Sequence, residues 1–215
     1  MKSYVQELKL SFDPFDASAI SREFFEGGNR REIREISGNI EFIAIGNLNK
    51  NKGHDCLLDA FKLVSKKYDN AFLRICGDGP EKMKLLQKIK DLKLENKVKL
   101  LGHLVKEDIL KNLLESNCLV HTSYVETFGV VLVEAISLGV PIITTNCGGP
   151  SDIFEPEMGY MVQEVDPGQI ANAMIRFILN KESFKRNKIE SLAKKYSANV
   201  ICANVNMVYR NALNT

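Results

Sequence analysis

Short apolar runs alternate with longer amphipathic stretches through the middle of the chain. The apolar runs are four to six residues long, and each is followed by glycine or a polar residue. The stretches between them place apolar side chains at the spacing of an α-helix. This alternation is typical of β-α-β units, in which helices cover a parallel sheet. The runs that predict strands are EFIAI (41–45), AFLRIC (71–76), VKLLG (98–102), CLVHT (118–122), VPIIT (140–144) and GYMV (159–162).

Amphipathic stretches predict helices between these strands. One follows Gly53, and Pro80 suits the first turn of the next. The pattern predicts an α/β fold: a Rossmann-like, doubly wound parallel sheet of about six strands with right-handed crossovers. The predicted helices cover residues 57–64, 81–92, 106–116, 128–138 and, with one break near Tyr196–Ser197, the chain from Pro167 onward. The apolar positions that recur at helical spacing in the first helix are Leu57, Leu58, Phe61, Leu63 and Val64, and those predicted on one side of the second are Met83, Leu85, Leu86, Ile89 and Leu92.

The two ends of the chain have weaker patterns. ELKLSF (7–12) alternates like an edge strand, and Asp16 suits the cap of a short helix over residues 17–26. Residues 29–39 have the composition of a charged connector. The whole chain is predicted to have three parts: an N-terminal segment (1–40), a Rossmann-like domain (41–180) and C-terminal helices that pack on it (181–215).

Composition narrows the class of protein. The chain has 215 residues, a formal net charge of +2 and 45% hydrophobic residues, which is typical of a globular protein. This charge gives no support to a nucleic-acid surface, which needs a concentrated basic face. The five cysteines form no C-x-x-C pair and the three histidines no H-E-x-x-H motif, so we expect reduced, buried thiols and no metal site. Neither a signal peptide nor a membrane-spanning run is visible, which predicts a cytoplasmic protein.

Small and polar residues follow each of the first five predicted strands. In an open parallel sheet, ligands bind beyond the carboxyl ends of the strands. The loop after the first strand, GNLNKNKG (46–53), has two glycines, two lysines and no acidic residue. It suits the close approach of a nucleotide diphosphate, with Lys50 or Lys52 meeting its charge. A plainer interpretation is that each glycine only ends a strand.

Two glutamates lie eight residues apart in ETFGVVLVEA, after the fourth strand. Glu126 falls in the loop, and the residues that follow it start a helix whose free N–H groups can hold phosphate oxygens. Glu134 lies within that apolar helix, where a carboxylate needs a partner such as a ribose diol. A plainer interpretation makes Glu134 a surface position and Glu126 an acid that counters the helix dipole. No G-x-G-x-x-G follows a strand and no G-x-x-x-x-G-K-[ST] occurs, which disfavours an ordinary dinucleotide site and a Walker ATPase.

Several motifs together resemble the family 4 glycosyltransferases. The stretch 118–153, CLVHTSYVETFGVVLVEAISLGVPIITTNCGGPSDI, resembles the signature region of that family, in which seven residues separate two glutamates. GNLNKNKGHDCLLDAF resembles its phosphate loop, RICGDGPE its G-x-G-P-E turn and VKLLGHL its F-L-G-x-V segment. The motifs occur in order over residues 41–180. Members of the family are retaining, nucleotide-sugar-dependent enzymes of the GT-B fold, which has two Rossmann-like domains with the active site between them.

The resemblance implies a role for each matched residue. Glu126, as the catalytic residue, would contact the hydroxyls of the donor sugar near the reacting carbon. Lys52 would bind the diphosphate and Glu134 the ribose hydroxyls. No metal or other cofactor is implied, because Lys52 and the helix dipole would neutralise the diphosphate. The other implied donor-binding positions are Gly46, Asn47 and Gly53 in the phosphate loop, Gly77, Asp78, Gly79, His103 and Leu104 around the nucleobase and ribose, and the backbone N–H groups of Phe128, Gly129 and Val130.

Two features depart from the family pattern. Asn47 stands where the family has arginine, and it cannot supply a guanidinium fork. Either Lys50 compensates, or phosphate binding is weaker, or Asn47 is used differently. The chain also matches only the carboxyl-terminal half of such an enzyme, so we expect a piece of a longer protein, with residues 1–40 as the interdomain segment. The last helix, 197–213, would then pack near the missing half, or simply face solvent.

The sequence therefore predicts the donor-binding domain of a glycosyltransferase that uses a UDP- or GDP-linked sugar. The acceptor, a glycan or a lipid-linked sugar, would be bound by the missing N-terminal domain, so the isolated chain would be inactive. The full enzyme would associate peripherally with the inner face of a membrane. Alternatives are a non-catalytic nucleotide-sugar-binding module, a subunit of a two-chain transferase, and another GT-B activity such as a sugar phosphorylase or a sugar-nucleotide epimerase. The glutamate pair argues against the epimerase, and the missing acidic cluster against a flavodoxin-like signalling protein.

Overall fold

The structure is a computed structural model that describes residues 38–197 and residue 200. Its strands are β1 (Ile40–Ile45), β2 (Ala71–Cys76), β3 (Val98–Gly102), β4 (Cys118–His121), β5 (Ile142–Thr145) and β6 (Gly159–Val162). All of the strand pairs are parallel, and the order across the sheet is β3-β2-β1-β4-β5-β6. The predicted α/β fold is confirmed, and each predicted strand is found within two residues of its predicted ends.

Helices connect the strands and cover both faces of the sheet. They often begin at residues that suit a helix start: Gly53 and Gly129 precede two of them in the left-handed conformation, and the side chain of Asp166 accepts a hydrogen bond from Gln169 N (2.8 Å) before Pro167. The helices are α1 (His54–Lys67), α2 (Lys82–Asp91), α3 (Lys106–Leu114), α4 (Val130–Ser137), α5 (Gly149–Ile153), α6 (Pro167–Asn180) and α7 (Arg186–Ala193).

The apolar core has two layers, one on each face of the sheet. One layer joins the sheet to α1, α2 and α6, and its largest side chains are Phe42, Phe61 and Phe177. The other joins it to α3, α4, α5 and α7. Every residue of β4 and β5 is buried, including the polar residues His121, Thr144 and Thr145, which is typical of central strands covered on both faces. The four described cysteines, Cys56, Cys76, Cys118 and Cys147, are buried and free, as predicted.

The buried faces of α1 and α2 are narrower than the sequence pattern predicts. Leu63, Met83 and Leu86 belong to the predicted apolar pattern, but all three are exposed, Met83 by 74%. Successive helical residues are rotated by about 100°. Leu63 therefore points away from buried Phe61, and the side chains that reach the sheet from α2 are Leu85 and Ile89.

The helical C-terminal part breaks earlier than predicted. α6 ends at Asn180, a 3-10 turn follows, and α7 begins only at Arg186. The ring of Phe184 between them packs edge-on against Tyr160 (5.5 Å between ring centroids) and stacks on Phe177 (5.8 Å). This contact draws the chain back to the sheet, where Ile189 of α7 joins the core.

Some predictions lie outside the described residues. These are the strand over residues 7–12 and the helix over 17–26. The connector over 29–39 is described only at its final two residues, and the last helix, 197–213, only at residues 197 and 200. Within the described part of the chain, no helix has both the length and the apolar character needed to cross a bilayer.

Candidate functional site

The order of the strands places a crevice between the carboxyl ends of β1 and β4. The chain builds outward from β1 to β3 and then returns to the other side of β1, where β4 pairs with it (Ile43 opposite Leu119). Ligands of doubly wound sheets bind at such a switch point. The loop that contains Lys52 follows β1, and the loop that contains Glu126 follows β4, so the two loops flank this crevice.

The loop after β1 is held close to β4. It ends in a 3-10 turn (Lys50–Lys52), and Gly53 then adopts the left-handed conformation with φ of 62°. The hydroxyl of Thr122 donates a hydrogen bond to the carbonyl of Lys52 (2.9 Å). A Cβ atom on Gly53 would lie 2.2 Å from the carbonyl oxygen of Thr122, so only glycine fits here.

Glycines of the next loop make a similarly close contact. A Cβ atom on Gly77 would lie 1.9 Å from the carbonyl oxygen of Gly46, and one on Gly79 would lie 2.6 Å from that of Leu48. Leu48 N also donates to the carbonyl of Asp78 (2.9 Å). The loops after β1 and β2 therefore form one packed backbone surface.

The loop after β4 is held from two sides. On one side, Asn51 makes two hydrogen bonds to this loop. The Asn51 carbonyl accepts a hydrogen bond from Tyr124 N (2.8 Å), and the Asn51 side-chain amide donates one to the carbonyl of Val125 (2.8 Å). On the other side, Glu126 N donates to the carbonyl of Cys147 (2.8 Å), and Gly149 N donates to the carbonyl of Glu126 (2.9 Å). These contacts fix the backbone from which the Glu126 side chain projects.

Lys52 and Glu126 form an ion pair at the crevice. Lys52 Nζ lies 2.5 Å from Glu126 Oε2, and only 22% and 17% of the two side chains are exposed. Glu126 Oε1 accepts from Thr127 N (3.1 Å). Burial alone would raise the pKa of the Glu126 carboxyl, but the hydrogen bond and charge of Lys52, with a smaller contribution from His121, hold that pKa below its usual range.

His121 is a buried polar residue that the sequence reasoning missed. It is the last residue of β4 and is 5% exposed. Its Nδ1 lies 3.2 Å from Thr144 Oγ1, and its Nε2 lies 3.0 Å from Ser123 Oγ and 3.6 Å from Glu126 Oε2. Burial, aided by the charge of Lys52, lowers the pKa of His121 to about 4, so the ring is neutral at pH 7. The signal in the sequence that could have found this residue is a histidine within the mostly apolar predicted strand CLVHT.

His54 is a second buried histidine near the same loop. It is the first residue of α1, is 4% exposed and lies beside the carbonyl of Gly46. Neither ring nitrogen makes a hydrogen bond of good geometry to the described residues. Burial lowers the pKa of His54 to about 4. This ring is therefore also neutral at pH 7 and adds no charge near Lys52.

The start of α4 opens at the same edge of the sheet. Gly129 precedes the helix with φ of 90°, and no side chain of the described residues caps its first N–H groups. Phe128 is half-exposed and packs edge-on against Tyr196 (6.2 Å between ring centroids). The predicted helix start at Phe128, Gly129 and Val130 is thus found, with N–H groups available to an anion.

Glu134 lies in the second turn of α4. Burial raises the pKa of its carboxyl to about 7, and the charge of Lys106 offsets this only partly. The residue is half-buried, so it is not a fully exposed surface position. Near pH 7 it holds both a protonated and an ionised population, and the ionised form accepts hydrogen bonds from hydroxyl groups.

The raised pKa of Glu134 makes the stability of the chain depend on pH. The folded state binds the proton more tightly than the unfolded state, whose carboxyl titrates near 4.5, so stability is lost as pH rises from about 4.5 to about 7. The loss is at most about 3 kcal/mol. Glu134→Gln should lack this dependence. Urea unfolding of wild type and Glu134→Gln at pH 5 and pH 8 measures this dependence. The difference in unfolding free energy between the two proteins should change with pH, and an unchanged difference would contradict the raised pKa.

The other predicted site residues lie at the same edge but make different contacts. Asp78 is exposed, pairs with Lys82 (2.6 Å) and accepts a hydrogen bond from Gly79 N (2.8 Å). His103 and Asn47 are exposed, and Leu104 packs partly against the core. Among the predicted site residues that the structure describes, Lys52 and Glu126 are the pair joined through their side chains.

An open groove of about 530 Å³ borders the loop after β1. It is lined by Lys50, Asn51, Asp55, Lys84 and Tyr124. The residues of the ion pair, Lys52 and Glu126, do not line it. Among the described residues, no three histidine, cysteine, aspartate or glutamate side chains are grouped as metal ligands would be.

Comparison with known proteins assigns a family to this arrangement. The profile of the family described as "Glycosyl transferases group 1" matches residues 28–196. N-acetyl-alpha-D-glucosaminyl L-malate synthase of Bacillus anthracis is 33% identical over 177 residues, which are 80% of this chain and 45% of that protein. The phosphatidylinositol N-acetylglucosaminyltransferase GPI3 subunit of Saccharomyces cerevisiae is 29% identical over 192 residues, 88% of this chain and 42% of that protein.

A solved structure gives the same result for the fold. TarM of S. aureus, crystallised as a variant with fondaparinux, alpha-GlcNAc-glycerol and UDP, superimposes with a TM-score of 0.72 at 25% identity. The match covers 83% of this chain and 36% of that chain. The chain thus spans less than half the length of these three proteins. Since the family profile covers most of the chain and the sheet is shared, this chain belongs to the group 1 glycosyl transferases and corresponds to the carboxyl-terminal domain region of their GT-B fold.

Proposed function

We propose that this chain is the donor-binding domain of a retaining glycosyltransferase and that its donor is a UDP-linked sugar. The observation that carries the proposal is the Lys52–Glu126 ion pair at the switch point of the sheet, beside the open start of α4. A cation and free helix N–H groups at one edge suit a diphosphate. UDP is in the crystals of TarM, which supports this nucleotide over GDP.

In the proposed reaction, Lys52 and the N–H groups at the start of α4 neutralise the charge that develops on the leaving diphosphate. Glu126 accepts hydrogen bonds from the donor sugar, and ionised Glu134 accepts them from the ribose. The backbone at Gly77–Pro80 and His103–Leu104 frames the nucleobase. The acceptor hydroxyl attacks from the face that the leaving group occupies, which retains the configuration of the sugar carbon. The new C–O bond forms as the bond to the diphosphate oxygen breaks, and that oxygen takes the hydroxyl proton. No metal is needed for this neutralisation.

The acceptor is proposed to bind to a second domain. This chain spans less than half of its relatives' lengths, so a second domain would complete the cleft. A glycan or a lipid-linked sugar is the proposed acceptor, and a cytoplasmic enzyme at a membrane surface would meet the latter. The chain alone should bind the donor without transferring its sugar.

A two-chain transferase is the second candidate. The yeast relative is named as a subunit, and the match covers 88% of this chain. In this alternative, a separate polypeptide carries the acceptor site. Co-purification of the chain with a second protein that restores transfer would favour it over a single-chain enzyme.

Thermal unfolding with nucleotides tests the donor proposal. A ligand at 100 times its dissociation constant stabilises the folded state by about 2.7 kcal/mol. For a chain of this size, UDP at such a concentration should raise Tm by roughly 5 to 10 °C. GDP, ADP and CDP should raise it less, and uridine, which lacks the diphosphate, should leave it unchanged. Equal Tm values with all four diphosphates and with buffer would contradict the proposal.

A further inference from the structure

The ion pair at the crevice uses groups that the donor also needs. Lys52 is proposed to bind the diphosphate and Glu126 the donor sugar, yet in the unliganded protein they lie 2.5 Å apart and satisfy each other. Diphosphate oxygens that approach Lys52 compete with the carboxylate for the same ammonium protons. Donor binding therefore has to weaken or break this pair.

Release of Lys52 would leave the Glu126 carboxylate short of partners. Its Oε1 keeps the hydrogen bond from Thr127 N, but Oε2 is the atom that contacts Lys52. A largely buried carboxylate that lacks a partner is costly. A new donor to Oε2 would lower that cost and would decide where the carboxylate points.

His121 is placed to be that donor. Its Nε2 is 3.6 Å from Glu126 Oε2, slightly beyond hydrogen-bond distance while Lys52 occupies the oxygen. Contacts with Thr144 and Ser123 hold the ring, and it is buried at the end of β4. The nearby carboxylate favours the neutral tautomer with the proton on Nε2, which would then donate to Oε2 in place of Ser123 Oγ. In that tautomer Nδ1 accepts, and the Thr144 hydroxyl would donate to it in place of the carbonyl of Thr145 (3.3 Å).

We propose that donor binding exchanges the partner of Glu126. Lys52 moves to the diphosphate, and His121 then hydrogen-bonds Oε2 and holds the carboxylate towards the donor sugar, so His121 is a positioning residue. This inference rests on the proposed function. It couples the two halves of the donor: the carboxylate becomes available to the sugar only when the diphosphate is bound.

A double-mutant cycle on UDP binding tests the exchange, because it measures whether His121 acts through Glu126. Isothermal titration calorimetry at pH 7.5 would use the whole chain as wild type, Glu126→Gln, His121→Leu and the double variant. Glu126→Gln should bind UDP about three- to tenfold more tightly, since Lys52 no longer has to leave a carboxylate. His121→Leu should weaken UDP binding about threefold or more when Glu126 is present and should have no effect when it is combined with Glu126→Gln.

A conservative variant separates positioning from packing. His121→Gln keeps an N–H donor near the position of Nε2 and should bind UDP within about twofold of wild type. If His121→Leu does not fold, Thr144→Val replaces it in the cycle, because it removes the hydroxyl that orients the ring. The same dependence on Glu126 is then expected, and an equal effect in both backgrounds would overturn the exchange.

The outcomes also distinguish this inference from the proposed function. If wild type binds UDP but Glu126→Gln weakens binding, or if the effects of the two substitutions simply add, the exchange is wrong while the donor site stands. If wild type binds none of the nucleoside diphosphates, the donor site is wrong and the exchange fails with it. Tighter binding by Glu126→Gln together with a His121 effect confined to the Glu126 background would support it.

Discussion

Lys52→Ala is expected to weaken the binding of UDP to this chain by roughly 10- to 100-fold. A hydrogen bond to a charged group contributes about 1.5–3 kcal/mol, which corresponds to that factor. The side chain of Lys52 is 22% exposed, so its charge is only partly screened by water. Its removal also leaves Glu126, an anion, without its counter-ion beside the diphosphate. Isothermal titration calorimetry with UDP measures the effect.

Lys50→Ala is the matched control for this substitution. Lys50 is in the same 3-10 turn and carries the same charge, but it is exposed. Its loss should weaken UDP binding by less than about threefold. Added salt should remove this difference between wild type and Lys50→Ala, because the attraction between Lys50 and UDP acts over a long range. Equal effects of the two substitutions would mean that the net charge of the loop, and not the position of Lys52, attracts the nucleotide. A strong effect of Lys50 alone would make it the residue that compensates for Asn47.

Gly53→Ala is expected to destabilise the folded chain by roughly 2–5 kcal/mol. A non-glycine residue in the left-handed conformation costs about 1–2 kcal/mol, and overpacking adds about 1–3 kcal/mol. Gly53 has φ of 62°, and the new Cβ atom would lie 2.2 Å from the carbonyl oxygen of Thr122. That atom belongs to the backbone and cannot rotate away, so the loop after β1 must move. Urea unfolding measures the loss of stability.

Gly102→Ala separates conformational strain from the close contact. Gly102 also has a positive φ, 75°, but its added Cβ atom would meet nothing within 4 Å. This substitution should cost only about 1–2 kcal/mol. The difference between the two variants, about 2 kcal/mol, then reports the contact between the loop after β1 and the end of β4. If Gly102→Ala were as destabilising as Gly53→Ala, the contact at Thr122 would contribute nothing.

Local pattern was enough to predict most of the elements. The runs AFLRIC, VKLLG and GYMV are strands with the predicted ends, because short, largely apolar runs bounded by glycine or polar residues are a local signal. The buried face of a helix was less well predicted. Leu63 and Met83 are apolar and near the right spacing, but which apolar residues face the sheet depends on how the helix is rotated against it.

The candidate site was predicted in part. Lys52, Glu126 and the start of α4 could be placed at one edge, since parallel strands end on the same side. That Lys52 contacts Glu126, 74 residues away, was not predicted, and neither was the position of His121 beside Glu126. In the sequence His121 is only one polar residue in a strand, and its environment is defined when β5 supplies Thr144 beside it.

The sequence by itself determined the α/β class, the succession of strands and helices, and the glycine-rich loops at one edge. These features depend on residues close together in the chain, whose periodicity and turn preferences act locally. The tertiary structure alone decided that β4 pairs with β1, and hence that Lys52, Glu126 and His121 meet at one crevice. Strand order is set by the packing of helices over the whole sheet, and no local pattern carries that information.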